Sequence, residues 1–175
     1  MLKTLTPAIA ALCVFSASVL AQGGAKPTDP QIAHIAYTAG LLDIDAGKQA
    51  LAKSTNKDVR AFAEMMVKDH TAVNKQALDL CKKLGVTPED NDTSKGLTKQ
   101  AAAKRAELDK LSGAAFDKAY IAHEVVYHQQ VLDAVDKTLI PGAKNAELKA
   151  LLVKVRPAFV AHLEHAKHLQ ASLAK

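Results

Sequence analysis

The sequence predicts an all-α fold: an antiparallel four-helix bundle with an extra helical crossover between its second and third helices. Three observations carry that expectation. From Pro30 onward the apolar residues recur at three- and four-residue steps, the spacing of one helix face. No stretch shows the alternating, β-branched pattern of a strand. The breaks in the helical pattern are short runs of Ser, Asn, Gly and Pro, and short turns set successive helices antiparallel.

The first helix is expected from Pro30 to Lys53, with Asp29 as its cap, Pro30 in its first turn, and Ile32, Ile35, Ala39, Leu42 and Ala46 as its buried stripe. Ser54-Thr55-Asn56 forms the turn. The second helix, Lys57 to Leu84, carries the seam Val59, Ala63, Met66, His70, Val73, Ala77, Leu80 and Leu84, and Gly85 supplies its C-terminal cap. After Val86-Thr87-Pro88, the segment from Ser94 to Leu111 is helical in pattern but rich in Ala and Lys, anchored by Leu97, Leu108 and Leu111. Eighteen residues at a rise of about 1.5 Å span roughly 27 Å, enough to return the chain along the bundle, which is how ferritin-like bundles build a long crossover. Ser112-Gly113 then opens the third helix, which runs to Leu139 with the seam Ile121, Val125, His128, Leu132, Val135 and Leu139. Pro141-Gly142 makes the next hairpin, and Pro157 is expected to kink or offset the fourth helix. That helix, Asn145 to Leu173, carries Leu148, Leu152, Val155, Phe159, His162, Ala166, Leu169 and Leu173.

The residues before Pro30 read differently. Lys3 supplies a positive start and Ala8 to Leu20 an apolar stretch too short for a comfortable membrane span, so residues 1–21 are expected to be a cleavable signal peptide, with Val19-Leu20-Ala21 at the cleavage site. Residues 22–29 form a Gly- and Pro-containing leader, and 30–175 the single bundle domain. The expected location is the periplasm or the exported cell envelope, without stable membrane insertion. Cys13 leaves with the signal and sits in no lipobox, because Leu12 precedes it. Cys81 then stands alone, so stability must come from packing and not from an intrachain disulfide.

The net charge is +5, from 23 basic and 18 acidic residues, and the two signs alternate along the chain. With no Trp and three Tyr to stack on bases, the composition speaks against nucleic-acid binding. A mildly basic surface aids solubility and leaves room for weak association with anionic envelope lipids. No Ser/His/Asp order, Gly-rich phosphate loop or paired acid and base carboxylates is present, so hydrolase and kinase readings have nothing to rest on.

The seams hold the chemistry. Three of them carry one imidazole where an apolar residue belongs: His70, His128 and His162. One seam histidine is ordinarily a hydrogen-bonded core residue, but three in one core suggest ligands, since neutral imidazole suits Zn, Cu, Ni and Fe and bundles build metal sites from facing helices. Asp43, beside the Leu42 stripe, is the fourth candidate, either on the metal or orienting a ligating ring. His70 and His128 fall level, but counting from a hairpin at Gly142 separates His128 from His162 by roughly 9 Å. A second grouping, His123, Glu124, His162 and His165, therefore stays open. Glu64, Glu164 and His168 fall on outward positions, His34 lies near a helix end, and Met65-Met66 reads as packing.

With those residues in hand, the chain resembles the bacterial family catalogued as domain of unknown function 4142, exported proteins placed in the ferritin-like superfamily and sometimes labelled predicted outer membrane proteins. The resemblance covers nearly all of the mature chain. It rests on Gly40-Leu41-Leu42-Asp43-Ile44-Asp45, on Phe62-Ala63-Glu64-Met65-Met66-Val67-Lys68-Asp69-His70, on the stretch Leu111 to Tyr120 with His128, and on His162-Leu163-Glu164-His165-Ala166. In that family's pattern His70, His128 and His162 fall on motif positions, as does Asp43, where a Glu is usual, while His123 does not. The resemblance implies a fold more than an activity. The chain lacks the Glu-x-x-His pairs of ferritin-like di-iron enzymes on helices two and four, so a single Zn or Cu ion, with Fe less suited, is the expected cofactor. The expectation is thus a metal-binding envelope protein for sequestration or stress protection, or else a metal-free structural bundle with hydrogen-bonded core histidines.

Overall fold

The computed structural model describes residues 26–175; the expected signal peptide and the leader residues 22–25 lie outside the described residues. Every regular element described is helical: α1 (Asp29–Lys53), α2 (Lys57–Leu84), α3 (Asp92–Asp109), α4 (Gly113–Ala134) and α5 (Ala146–Leu173). After α4 the chain continues through a π-helical stretch, Val135–Leu139, and a last helical turn, Ile140–Gly142. Among the described residues no helix is long and apolar enough to cross a membrane.

Local chemistry explains the ends. Asn56 Oδ1 accepts from the N–H groups of Asp58 and Val59, Asn145 Oδ1 accepts from those of Glu147 and Leu148, and Asn91 Oδ1 accepts from that of Ser94. Each satisfies donors that the first turn of a helix leaves free. Gly85, at φ 64°, takes the left-handed conformation that closes α2, and Val86 N–H reaches back to the Cys81 carbonyl. Thr28, and not Asp29, is the residue preceding α1, and its N–H donates to Gln31 Oε1. Asp29 instead joins two helices, because its carboxylate accepts from the N–H groups of Lys144 and Asn145, both at 2.8 Å, and so fastens the start of α1 to the start of α5.

One expectation about the turn between α4 and α5 needs correction. Pro141-Gly142 lies inside the last helical turn, so the hairpin falls at residues 143–145. Pro141 has no N–H to offer the carbonyl four residues back, and a wider turn relieves the crowding of its ring. The Ile140 N–H duly bonds to the Val135 carbonyl, five residues earlier. Arg156 then clamps this stretch to α5 by two bonds to Asp136, at 2.6 and 2.7 Å. Pro157 lies inside α5. It deprives the Val153 carbonyl of a partner, and Val153 is on the exposed side, where water can serve.

α1 packs along α2, α4 along α5, α2 against α5, and α3 lies against α1 with a lighter contact to α4. The core falls into two apolar clusters. One gathers Ala46, Ala50, Val59, Phe62, Met66, Leu108, Phe116, Tyr120, Ile121, Ala166 and Leu169. The other gathers Ile32, Ile35, Leu132, Val135, Leu139, Leu148, Leu152, Val155, Phe159 and Leu163. The first holds the N-terminal halves of α2 and α4 and the second receives their C-terminal halves, so those helices run the same way. α3, with Leu97 against the second cluster and Leu108 in the first, carries the chain back between them.

α1 and α2 approach closely at Gly40, where an added Cβ would lie 2.3 Å from Asn74 Oδ1, on a buried side chain whose Nδ2 donates to the Tyr37 carbonyl at 3.2 Å. Gly40→Ala is expected to lower stability by about 1–3 kcal/mol in urea unfolding, the usual cost of overpacking. A change under a few tenths of a kcal/mol would mean that this approach is not tight.

Candidate metal centre

The two apolar clusters meet at a polar layer. His70 in the middle of α2, His128 in α4 and His162 in α5 all turn inward there, and each is 3% exposed or less. Their ring centroids lie 5.8 Å apart for His70 and His128, 5.2 Å for His70 and His162, and 5.4 Å for His128 and His162. The offset expected for His162 is absent because the turn lies later than predicted. His128 is 14 residues before Gly142 and His162 is 16 after Ala146, a mismatch of two residues or about 3 Å. The α1 stripe also turns more than predicted, leaving Leu42 half-buried and bringing Asp43 inside at 2% exposed.

Neighbours fix which ring atom faces inward. A carbonyl only accepts, so the 3.1 Å contact of His128 Nδ1 with the Glu124 carbonyl puts the proton on Nδ1 and leaves Nε2 bare, 3.7 Å from Asp43 Oδ2. His162 Nε2 donates to Asp69 Oδ2 at 3.0 Å, which leaves Nδ1 bare and buried. His70 stacks on Phe159 at 5.5 Å with 6° between planes, and its Nε2 lies 3.1 Å from Asp43 Oδ2 without hydrogen-bond alignment. Burial first, and then the other two imidazoles, pushes His70 down to about 3, and burial lowers His162 despite Asp69. Both rings are therefore neutral near pH 7, the form that offers a lone pair.

Carboxylates complete the layer. Glu124, four residues before His128 on the same face of α4, is fully buried, with Oε2 3.4 Å from His128 Nδ1. Burial pushes Glu124 up to about 7 and Asp43 well above the ordinary carboxyl range, Asp43 further because Glu124 is beside it. Both His70 nitrogens, His128 Nε2 and His162 Nδ1 find no hydrogen-bond partner among the described residues, while the Glu124 carboxyl lies within hydrogen-bonding reach of Asp43 and of the Tyr120 hydroxyl. Native cores pair nearly all such atoms, so this concentration of orphans at one level points to a ligand. Donor atoms of His70, His128 and His162 all lie within 4.8 Å of one another, as do those of Asp43, Glu124 and His128, and either set could hold a metal ion.

All four predicted residues thus meet in one layer. The second grouping divides: Glu124 and His162 belong to the layer, while His165 is exposed and stacks edge-on against Phe62, and His123 packs against Tyr127. Glu64, Glu164 and His168 are exposed, Met66 is core, and Cys81 is a buried free thiol. Sequence reasoning missed Asp69 and left Glu124 in the less favoured set. The four-residue step from Glu124 to His128 was a usable signal. Asp69 offered none, since it reaches His162 from the flank of another helix.

One family model matches the chain, over residues 15–169, under the description Domain of unknown function (DUF4142). No curated protein and no solved structure matches.

The buried carboxyl has a measurable signature. Glu124 titrates near 7 when folded against an ordinary 4.5, so its contribution to stability is complete below about 4.5 and is lost as pH rises through 7. His70 has the opposite sign: its folded value near 3 lies below the ordinary 6.5, so stability is lost as pH falls from 6.5 toward 3. Glu124→Gln removes the first effect and also relieves the push of Glu124 on Asp43, a change of the same sign, and Glu124 is not among the groups that shift His70. In chelator-treated protein the Gln variant should gain on its parent by roughly 3 kcal/mol between pH 4.5 and 7, at about 1.4 kcal/mol per pKa unit. A difference that stays flat across that range would refute the buried carboxyl.

Proposed function

The chain belongs to the family of domain of unknown function DUF4142, whose description names no activity, and we propose from the site itself that it is a transition-metal-binding protein of the cell envelope. One ion, Zn or Cu before Fe, is held by His70, His128 and His162 with Asp43 alongside, for sequestration or protection under stress. Its fold is a ferritin-like four-helix bundle of α1, α2, α4 and α5, with α3 as the crossover. The expected signal peptide routes it to the periplasm, and no nucleic acid or stable membrane insertion enters its role.

A single observation carries the reading: three inward imidazole faces, supplied by three helices and two of them oriented by outside acceptors, lie among buried polar atoms that lack partners. Leaving such atoms unpaired costs about 1–3 kcal/mol each, and a bound cation satisfies them. The donor set suits a borderline metal, because imidazole nitrogens favour Zn and Cu over Mg or Ca. Nitrogens around a tetrahedral Zn at about 2.0–2.1 Å lie roughly 3.3 Å apart, so donor atoms within 4.8 Å of one another need to close by at most about 1.5 Å. The metal-free reading must instead leave both His70 nitrogens unsatisfied.

Calorimetric titration of chelator-stripped protein with Zn(II) and Cu(II) tests the proposal. His70→Ala/His128→Ala should weaken binding by more than the roughly 10–100-fold that losing an outer partner costs; equal heats in both proteins would end it. Asp69 lies at the half-exposed rim and touches the centre only through His162 Nε2. Asp69→Ala is therefore expected to leave the circular dichroism spectrum intact and weaken Zn(II) binding about 10–100-fold. An unchanged affinity would remove Asp69 from the centre.

A further inference from the structure

The three imidazoles leave part of the polar layer unexplained. Glu124 is 0% exposed, and among the described residues its carboxyl group meets the Asp43 carboxyl, the Tyr120 hydroxyl and, 3.4 Å from Oε2, His128 Nδ1. Asp43 presents Oδ2 to the imidazole side, 3.1 Å from His70 Nε2 and 3.7 Å from His128 Nε2, and its carboxyl also meets that of Glu124. The Tyr120 hydroxyl, one turn before Glu124 on α4, is buried against the Glu124 carboxyl. His128 Nδ1 bonds the Glu124 backbone carbonyl at 3.1 Å and lies 3.4 Å from Oε2, so the two buried carboxyls face each other with one imidazole beside them.

We infer that the layer holds a second cation position, for a hard divalent ion of the Mn(II) class, between the carboxyl groups of Asp43 and Glu124 in the group those residues form with His128. The inference rests on the imidazole site proposed above and extends it. The two positions differ in chemistry: nitrogen donors favour a borderline ion and carboxylate oxygens a hard one. Asp43 lies between them and offers one oxygen to each, so a single carboxylate couples the positions. A cavity of about 10 Å³, lined by Asp43, Leu42, Arg105, Leu108, His123 and Tyr127, borders the layer at Asp43 from the α3 side. It is about the size that admits one water, the ligand a hard ion keeps when protein donors are few.

The test loads chelator-stripped protein with one equivalent of Zn(II) and then titrates Mn(II), following loss of the free Mn(II) electron paramagnetic resonance signal. Zn-loaded parent protein is expected to take up one Mn(II) per chain, and Zn-loaded Glu124→Gln, an isosteric change that keeps the backbone carbonyl to His128, should bind it at least tenfold more weakly. Mn(II) uptake only when Zn(II) is withheld would mean one shared position, overturning the second site while leaving the first. Equal uptake by Glu124→Gln would place Mn(II) elsewhere and likewise overturn it. Failure of the parent to retain Zn(II) would remove the imidazole site and this inference with it. Zn(II) retention without Mn(II) uptake at millimolar concentration would remove this inference alone.

Discussion

A layer of ionisable groups sits in the middle of this protein where an apolar cross-section would be cheaper, and the arrangement of the helices follows from having to enclose it. Burying an unpaired carboxylate or imidazolium is so costly that such groups shift their protonation instead. That is the state found here: Glu124 and Asp43 are pushed toward the protonated form, and His70 and His162 toward the neutral form. Apolar clusters flank the layer at both ends and offer it no hydrogen bonds. What remains is a set of neutral nitrogens and proton-holding carboxyls within reach of one another, which is how a metal site prepares to exchange protons for a cation.

The scaffold concentrates its strongest links away from that layer. Asp29 ties the starts of α1 and α5 together, and the Arg156–Asp136 clamp holds the π-helical stretch beside α5. On the α1–α3 side, Gln49 donates to the Arg105 carbonyl and to Asp109. These contacts fix the heights of the helices relative to one another, and so decide whether residues far apart in the chain arrive at one level. The π-helical stretch matters most in this respect, because it carries α4 on beyond the expected turn. Irregular turns of this kind are often found where function requires a register that a regular helix does not supply.

Orientation is handled separately from position. His128 is oriented by its own helix through the Glu124 carbonyl, and His162 by Asp69 on a different helix. His70 is held by stacking on Phe159 and keeps both nitrogens free of hydrogen bonds. One ring of the three is thus fixed by no hydrogen bond while the other two are aimed in advance. Preorganisation of that kind lowers the cost of binding without closing off the adjustment that coordination needs.

The order of helices, most of their limits and the inward faces carrying His70, His128 and His162 were legible in the sequence, because helical periodicity is a local property written every three or four residues. The limits of α2 were read without error, since Asn56 and Gly85 cap it by local chemistry. Tertiary structure decided the rest. Whether Asp43 or Leu42 faced the core depended on the rotation of α1 against α2. The common height of His128 and His162 depended on a wider turn that relieves Pro141. The reach of Asp69 to His162 depended on α2 and α5 lying side by side. Each is a relation between helices, set by packing across the core and not by the neighbours of a residue along the chain.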